Sequence, residues 1–297
     1  MKFEMKNRLK PCAAISALII VIALVMTIMG MGMNLGIDFT GGTLMTYNMG
    51  AEFNADDVTA ALAECGVAEA QVAKTGENNT QVQIRIADVE NTDDLRDALV
   101  EKLSANYPAI EYVDITRVGA VVGSELINNA IKSLTLAGVL MLVYIAFRFD
   151  LYSGLAAIIG LVHDIAIMMS FVVILRGFIR VETTFIADLL TIVGYSINNT
   201  IIIFDRIREN SHKVGVRQLP REEIVNISVT ESLPRTLNTT VTTLLTIVTL
   251  YILGVDSIKQ FALPLIIGIV AGTYSANLIN GYVWSMLMDL RASHKKA

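Results

Sequence analysis

The chain has 297 residues, of which 54% are hydrophobic and 17% charged, with 28 Asp and Glu against 23 Lys and Arg for a net charge of −5. Ordinary soluble domains are nearer a quarter charged, so the composition excludes that class and points to a polytopic membrane protein. Five prolines and no low-complexity tract leave little room for disorder away from the termini.

A span needs about 20 mostly apolar residues to cross roughly 30 Å of hydrocarbon. Six segments meet that requirement, at about 11–33, 130–147, 153–175, 184–204, 237–253 and 261–287. The first follows Lys2, Lys6, Arg8 and Lys10, as the apolar stretch of a signal peptide would. It is too long for that role and runs into "MGMNLGIDFTGG", which is no small-residue cleavage site, so a retained anchor is expected. Cys12 lies in this span and Cys65 in a polar segment, so a disulfide between them is not expected.

Between the first two spans lies a polar insert, about 36–125, rich in acid: Asp56, Asp57, Glu64, Glu69, Glu77, Asp88, Glu90, Asp93, Asp94 and Asp97. "GTLMTYNMG" alternates as a strand, and "NADDVTAALAECG" reads as a helix capped by Asn54 and stopped by Gly66. "EAQVAKTG" and "TQVQIRIADV" follow as strands around the turn "ENN", then "NTDDLRDALVEKLSAN" as a helix and "IEYVDITRVG" as a last strand. The order β-α-β-β-α-β predicts a ferredoxin-like α+β domain, a fold that by itself specifies no function.

Lys and Arg gather at the N-terminus, after Arg148, in the loop carrying Arg206, Arg208, Lys213, Arg217 and Arg221, and in the tail with Arg291, Lys295 and Lys296. With six alternating helices these all fall on one side, predicted to be cytoplasmic, which sends the acidic insert outward. Arg176, Arg180 and Lys259 sit on short exterior turns, so the bias holds in aggregate. The predicted layout is therefore 1–35 as cytoplasmic N-terminus and first span, 36–125 as exterior domain, 126–290 as a five-helix bundle and 291–297 as a cytoplasmic tail. The loop 205–236 is basic and amphipathic, and "REEIVNISVTESLPRT" within it predicts a helix lying along the membrane interface.

His163, His212 and His294 are scattered over a span, a loop and the tail, without metal-ligand spacing, and there is no P-loop. No catalytic site, metal, cofactor or nucleic-acid partner is expected. What remains are polar groups inside spans, which lipid makes expensive and which serve either helix association or function. Asp164 sits near the middle of the third span, Asp188 in the outer half of the fourth, Asn198 and Asn199 in its inner half, and Arg235 at the start of the fifth. Asp188 and Asn199 are 11 residues apart, which at 100° per residue returns to within about 20° of one direction, so both are expected to face one cavity. Gly268, Gly272 and Ala276 recur at every fourth position and predict close approach of the sixth span to a neighbour.

The segments "MNLGIDFTGGT", "VGAVVGSEL", "FRFDLYSGLAAIIGLVHD", "GYSINNTIIIFDRIREN" and "SLPRTLNTTVTTL" occur in order over nearly the whole chain. Together they resemble the SecF family of the SecDF protein-export complexes, within the RND transporter superfamily. The resemblance implies a multi-pass protein of the bacterial plasma membrane that pairs with SecD. It further implies association with the SecYEG channel and use of the proton gradient to help draw preproteins outward after the SecA-driven step, among membrane lipids. In relatives an acid follows "SIN" in the fourth span and an arginine opens the fifth, and both are thought to serve proton passage. Arg235 matches that arginine, whereas position 199 is Asn, and an amide cannot titrate. Asp188 is the candidate for the displaced acid, with Asn198 and Asn199 orienting water. Asp164 is the weaker one, because "HD" occurs in relatives that keep the fourth-span acid. A half-transporter of the RND type for small molecules or lipids, or a structural assembly factor for SecD, would share these features. Depletion separates the half-transporter, since an export subunit predicts accumulated precursors of secreted proteins rather than drug sensitivity with normal secretion, and an assembly factor predicts that polar substitutions in the spans act only through stability.

Overall fold

The computed structural model describes residues 6–67, 70–76, 79–87 and 92–294. Lys2, Lys295 and Lys296 of the basic clusters and Glu69, Glu77, Asp88 and Glu90 of the acidic insert lie outside the described residues.

Helix α1 (Lys6–Ile28) leads through a short α2 (Ile37–Thr40) into β1 (Gly42–Asn48), α3 (Ala55–Glu64), β2 (Ala70–Thr75), β3 (Gln81–Ile86), α4 (Thr92–Ser104) and β4 (Glu111–Val118). The chain then runs through α5 (Ala120–Arg148), α6 (Leu151–Ile174), α7 (Thr184–His212), α8 (Arg221–Leu253), α9 (Asp256–Ser275), a π-helical turn (Ala276–Asn280) and α10 (Gly281–His294). Six helical segments are long and apolar enough to cross a membrane: Leu9–Ile28, Val121–Arg148, Leu151–Ile174, Thr184–His212, Arg221–Leu253 and Asp256–Ser293. Within the apolar 18-residue stretch of each span, half or more of the residues are buried in α6, α7 and α9–α10 (50%, 50% and 56%), against 11% in α1, α5 and α8. The first three therefore form the interior, with α1 and α5 against α6 and with α8 against α7 and α9.

Two boundaries differ from the sequence expectation. Helix α5 begins at Ala120, ten residues early, because β4 passes into it through the single residue Gly119. The stretch expected as a separate interfacial helix is instead the first half of α8, which continues through Pro234 without a break. Its polar side chains are matched by the end of α7: Asn210 Nδ2 donates to Ser228 Oγ (3.0 Å) and Glu231 Oε2 (2.7 Å), and Arg206 Nε donates to Glu231 Oε2 (2.7 Å). Those bonds hold the two helix ends together and leave only 213–220 as the connecting loop.

The α+β segment is a four-stranded antiparallel sheet in the order β2-β3-β1-β4. Alternation places Met45 and Tyr47 of β1 and Val82, Ile84 and Ile86 of β3 on one face, in register as Met45 with Ile84 and Tyr47 with Val82. Val58 and Leu62 of α3 and Leu95, Leu99 and Leu103 of α4 cover that face. Asn54 caps α3 by accepting from Asp56 N (3.2 Å), and Gly66 leaves it at φ +84.

The other side of the sheet meets the bundle. Arg180 Nη1 donates to Gln83 Oε1 (2.8 Å), and Asp256 Oδ2 accepts from Thr75 Oγ1 (2.5 Å) and Gly76 N (3.1 Å). Burial pushes the Arg180 guanidinium below its usual pKa and the Glu182 carboxyl above its own, each opposed by the other at 3.7 Å. The "GIDFTGG" stretch is the joint: Asp38 Oδ2 accepts from Thr183 N (2.9 Å) and Oγ1 (2.6 Å), and a side chain at Gly123 of α5 would collide with the Phe39 carbonyl. Gly42 has φ +118, and a Cβ there would lie 2.5 Å from Ile86 O. Gly42→Ala should therefore cost about 2–4 kcal/mol through strain and backbone collision. The check is limited proteolysis of the full chain, where cleavage within 42–118 should rise sharply; wild-type resistance would contradict this account of the joint.

Candidate functional site

Helix α7 carries one face into the bundle, repeating as Asp188, Ile192, Ser196, Asn199 and Ile203. Asp188 and Asn199 are both fully buried on this face of α7. No hydrogen bond joins them. Asn199 Nδ2 lies 3.4 Å from Thr273 Oγ1 of α9, its Oδ1 has no partner among the described residues, and neither oxygen of Asp188 has one. Asn198 falls on the exposed face of α7, one residue and about 100° around the helix from Asn199, so the two amides do not line a common path.

Asp164 of α6 is the hub of the best-connected polar cluster in the bundle. Its Oδ2 accepts from Ser196 Oγ of α7 (2.5 Å) and Ser275 Oγ of α9 (2.8 Å). Its Oδ1 lies 3.0 Å from His163 Nδ1, and His163 Nε2 lies 2.8 Å from Ser16 Oγ of α1, with the ring stacked on Tyr274 at 6.1 Å. One carboxylate thus links α1, α6, α7 and α9. Gly272 makes room for it: a Cβ there would sit 3.1 Å from the Ser196 Cβ and 3.6 Å from Asp164 Oδ2.

A second chain of polar contacts runs between α7, α8 and α9. Tyr195 Oη donates to Thr240 Oγ1 (3.0 Å), Thr240 pairs with Thr273 (2.8 Å), and Thr236 Oγ1 donates to Asn277 Oδ1 (3.1 Å). Asn280 Nδ2 donates to Thr200 Oγ1 (2.7 Å), and Asn280 packs so closely on Gly160 that a side chain there would overlap it. The π-helical turn brings Asn277 and Asn280 inward together, an irregularity often found at functional positions. Sequence reasoning treated "GIVAGTYSANLING" only as a small-residue packing surface, and Gly268 does pack tightly on Ile192. The run of Ser275, Asn277 and Asn280 within it was the available signal for a polar lining.

Arg235 is exposed on α8 and makes no ion pair with the described residues, so it does not point into this chain's own interior. Around it, the exposed threonines satisfy themselves, with Thr239, Thr242, Thr246 and Thr249 each donating to the carbonyl four residues earlier. Arg235, Asn238 and Asn198 are exposed, and their side chains make no such bond among the described residues. No group of three or more His, Cys, Asp or Glu suited to a metal occurs among the described residues. Cys12 and Cys65 are free thiols.

Two family models match this chain: protein export membrane protein SecD/SecF, C-terminal, over residues 99–290, and the SecD/SecF GG motif over residues 28–49. The protein translocase subunit SecF of Sebaldella termitidis is 36% identical over 250 residues, covering 82% of this chain and 79% of its own length. The SecF of Haemophilus influenzae is 35% identical over 262 residues, covering 88% and 79%. A crystal structure of SecDF from Thermus thermophilus, described as translocon-associated, superposes with a TM-score of 0.80 at 33% identity over 95% of this chain. A super-membrane-facing form of SecDF gives 0.69 at 32% identity over 97%. This chain spans 38% and 39% of those two SecDF chains.

Proposed function

This chain belongs to the SecF family of protein-export membrane subunits, and on that premise we propose that it works with SecD to assist late translocation of preproteins across the bacterial plasma membrane. In this reading the pair acts beside the SecYEG channel after the SecA-driven step and draws on the proton gradient. The N- and C-termini are cytoplasmic, and residues 36–125 form a ferredoxin-like domain on the outer side, positioned to meet SecD's exterior domains or the emerging chain.

The observation that carries the pairing is the uncovered polar face of α7 and α8. A guanidinium and two amides directed away from their own bundle are costly in hydrocarbon and need a protein partner. The match to less than two fifths of each SecDF chain supports a SecD-type subunit as that partner. Within this chain, Asp188 is proposed as the carboxylate that takes the place of the family acid at position 199. It is buried without a hydrogen-bond partner, so a proton, a water or a group from SecD must complete its site. Asn199 supplies polar lining on the same helix face about three turns away, Asn198 belongs with Arg235 on the partner face, and Asp164 serves to lock the helices.

Arg235 tests the pairing. An arginine that merely snorkelled to headgroups would tolerate lysine, whereas one held bidentately by a partner would not. Arg235→Lys should leave the amount of protein unchanged and slow the release of a secreted precursor about tenfold, the equivalent of one charge-assisted bond. Wild-type release in that variant would favour the snorkelling arginine and remove the support for this face as the interface.

A further inference from the structure

A cavity of about 810 Å³ opens at the end of the bundle opposite the α+β domain, where α5, α7 and α10 finish and α8 begins. Its inner wall is apolar: Phe149, Phe204, Ile207, Trp284 and Met288, with the Phe149 and Phe204 rings edge to face at 6.4 Å. Its rim carries Arg208, Arg217 and Arg221. The carboxylates there do not neutralise all three. Asp289 is taken by Arg221, Asp150 caps α6 by accepting from Tyr152 N (2.8 Å) and Ser153 N (3.0 Å), and neither these two nor Glu222 of the lining is ion-paired to Arg208 or Arg217 among the described residues. Arg208 donates to the Arg148 carbonyl at 3.3 Å, and Arg217 makes no ion pair with the described residues. The indole Nε1 of Trp284 is buried with no acceptor among the described residues.

Two exposed guanidiniums without a carboxylate partner among the described residues thus flank apolar side chains, with the buried indole of Trp284 among them, at the level where the spans end. We propose that this cavity holds an anionic phospholipid from the adjoining leaflet, with its phosphate between Arg208 and Arg217 and an acyl chain along Phe149, Phe204 and Met288. Guanidinium groups are suited to bidentate phosphate contact, and the volume lies within the range of small-molecule sites. The apolar wall selects lipid over free phosphate, which would leave that wall wet. The loop above agrees with a position among headgroups, since Val214, 98% exposed, lies next to Lys213.

Trp284 is the sole tryptophan of the chain, so its fluorescence reports on this cavity alone. The full chain in phosphatidylcholine nanodiscs would be titrated with brominated phosphatidylglycerol or with brominated phosphatidylcholine. The anionic lipid should quench Trp284 at a mole fraction roughly thirtyfold lower, as two arginines at about 1 kcal/mol each imply. The double variant Arg208→Gln/Arg217→Gln should abolish that preference, while Lys213→Gln, which removes a charge outside the cavity, should keep it. Equal quenching by both lipids, or a preference that survives the double variant, would overturn the site. Release of the quenching by millimolar inorganic phosphate would assign the cavity to a soluble phosphate and overturn the lipid.

Discussion

Asp164→Ala should lower the thermal midpoint of the full chain in mild detergent by about 5–10 °C, the equivalent of a loss of roughly 2–4 kcal/mol. The substitution removes the acceptor of the buried Ser196 and Ser275 and the partner of His163 in one step. The Ser275 hydroxyl retains a 3.2 Å contact to the Gly272 carbonyl, but the Ser196 hydroxyl has no second partner among the described residues. Bonds between membrane helices are individually modest, averaging about 0.6 kcal/mol, so the size of the effect rests on three failing together. Asp164→Asn keeps one acceptor oxygen and lets the serine hydroxyls reverse, and should recover most of the loss. Size-exclusion profiles after graded heating read both variants. An alanine variant as stable as wild type would show that the cluster is incidental to packing.

Asp188→Asn has the opposite signature. Neither carboxyl oxygen makes a hydrogen bond among the described residues, and asparagine has nearly the same shape, so folding and protein level should be preserved. Only the ability to gain and lose a proton disappears. Export should then fall to the rate seen when the gradient is collapsed, while the part driven by SecA alone persists. Asn199→Asp should be tolerated or restore part of the loss, because position 199 lies on the same buried face and its Oδ1 has no partner among the described residues. Normal gradient-dependent export in Asp188→Asn would place coupling in SecD or at Asp164.

The spans were legible because lipid imposes a length and a polarity that a single sequence displays. The α+β segment was legible because its strands alternate and its helices carry local caps, as at Asn54. Helix periodicity also placed Asp188 and Asn199 on one face. It did not separate Asn198 from Asn199, since which side of α7 is covered depends on where α9 packs, and that is set by the fit of Gly268 on Ile192. The Asp164 cluster was illegible for a related reason. Ser16, Ser196 and Ser275 come from three other helices, and no local pattern gives the register between them. Residues 221–236 misled because their polar groups read as headgroup contacts, whereas Ser228 and Glu231 are bonded to Asn210 of α7.

We propose that this chain meets SecD through a contact face that includes Asn198, Arg235 and Asn238. The most direct measurement is affinity purification of the full chain from native membranes, followed by identification of the bound proteins and their amounts. The account predicts SecD in near-equal amount with the wild-type chain and its loss when Asn198 and Arg235 are both replaced by leucine. Recovery of the wild-type chain without SecD, or undiminished SecD with the double variant, would contradict it.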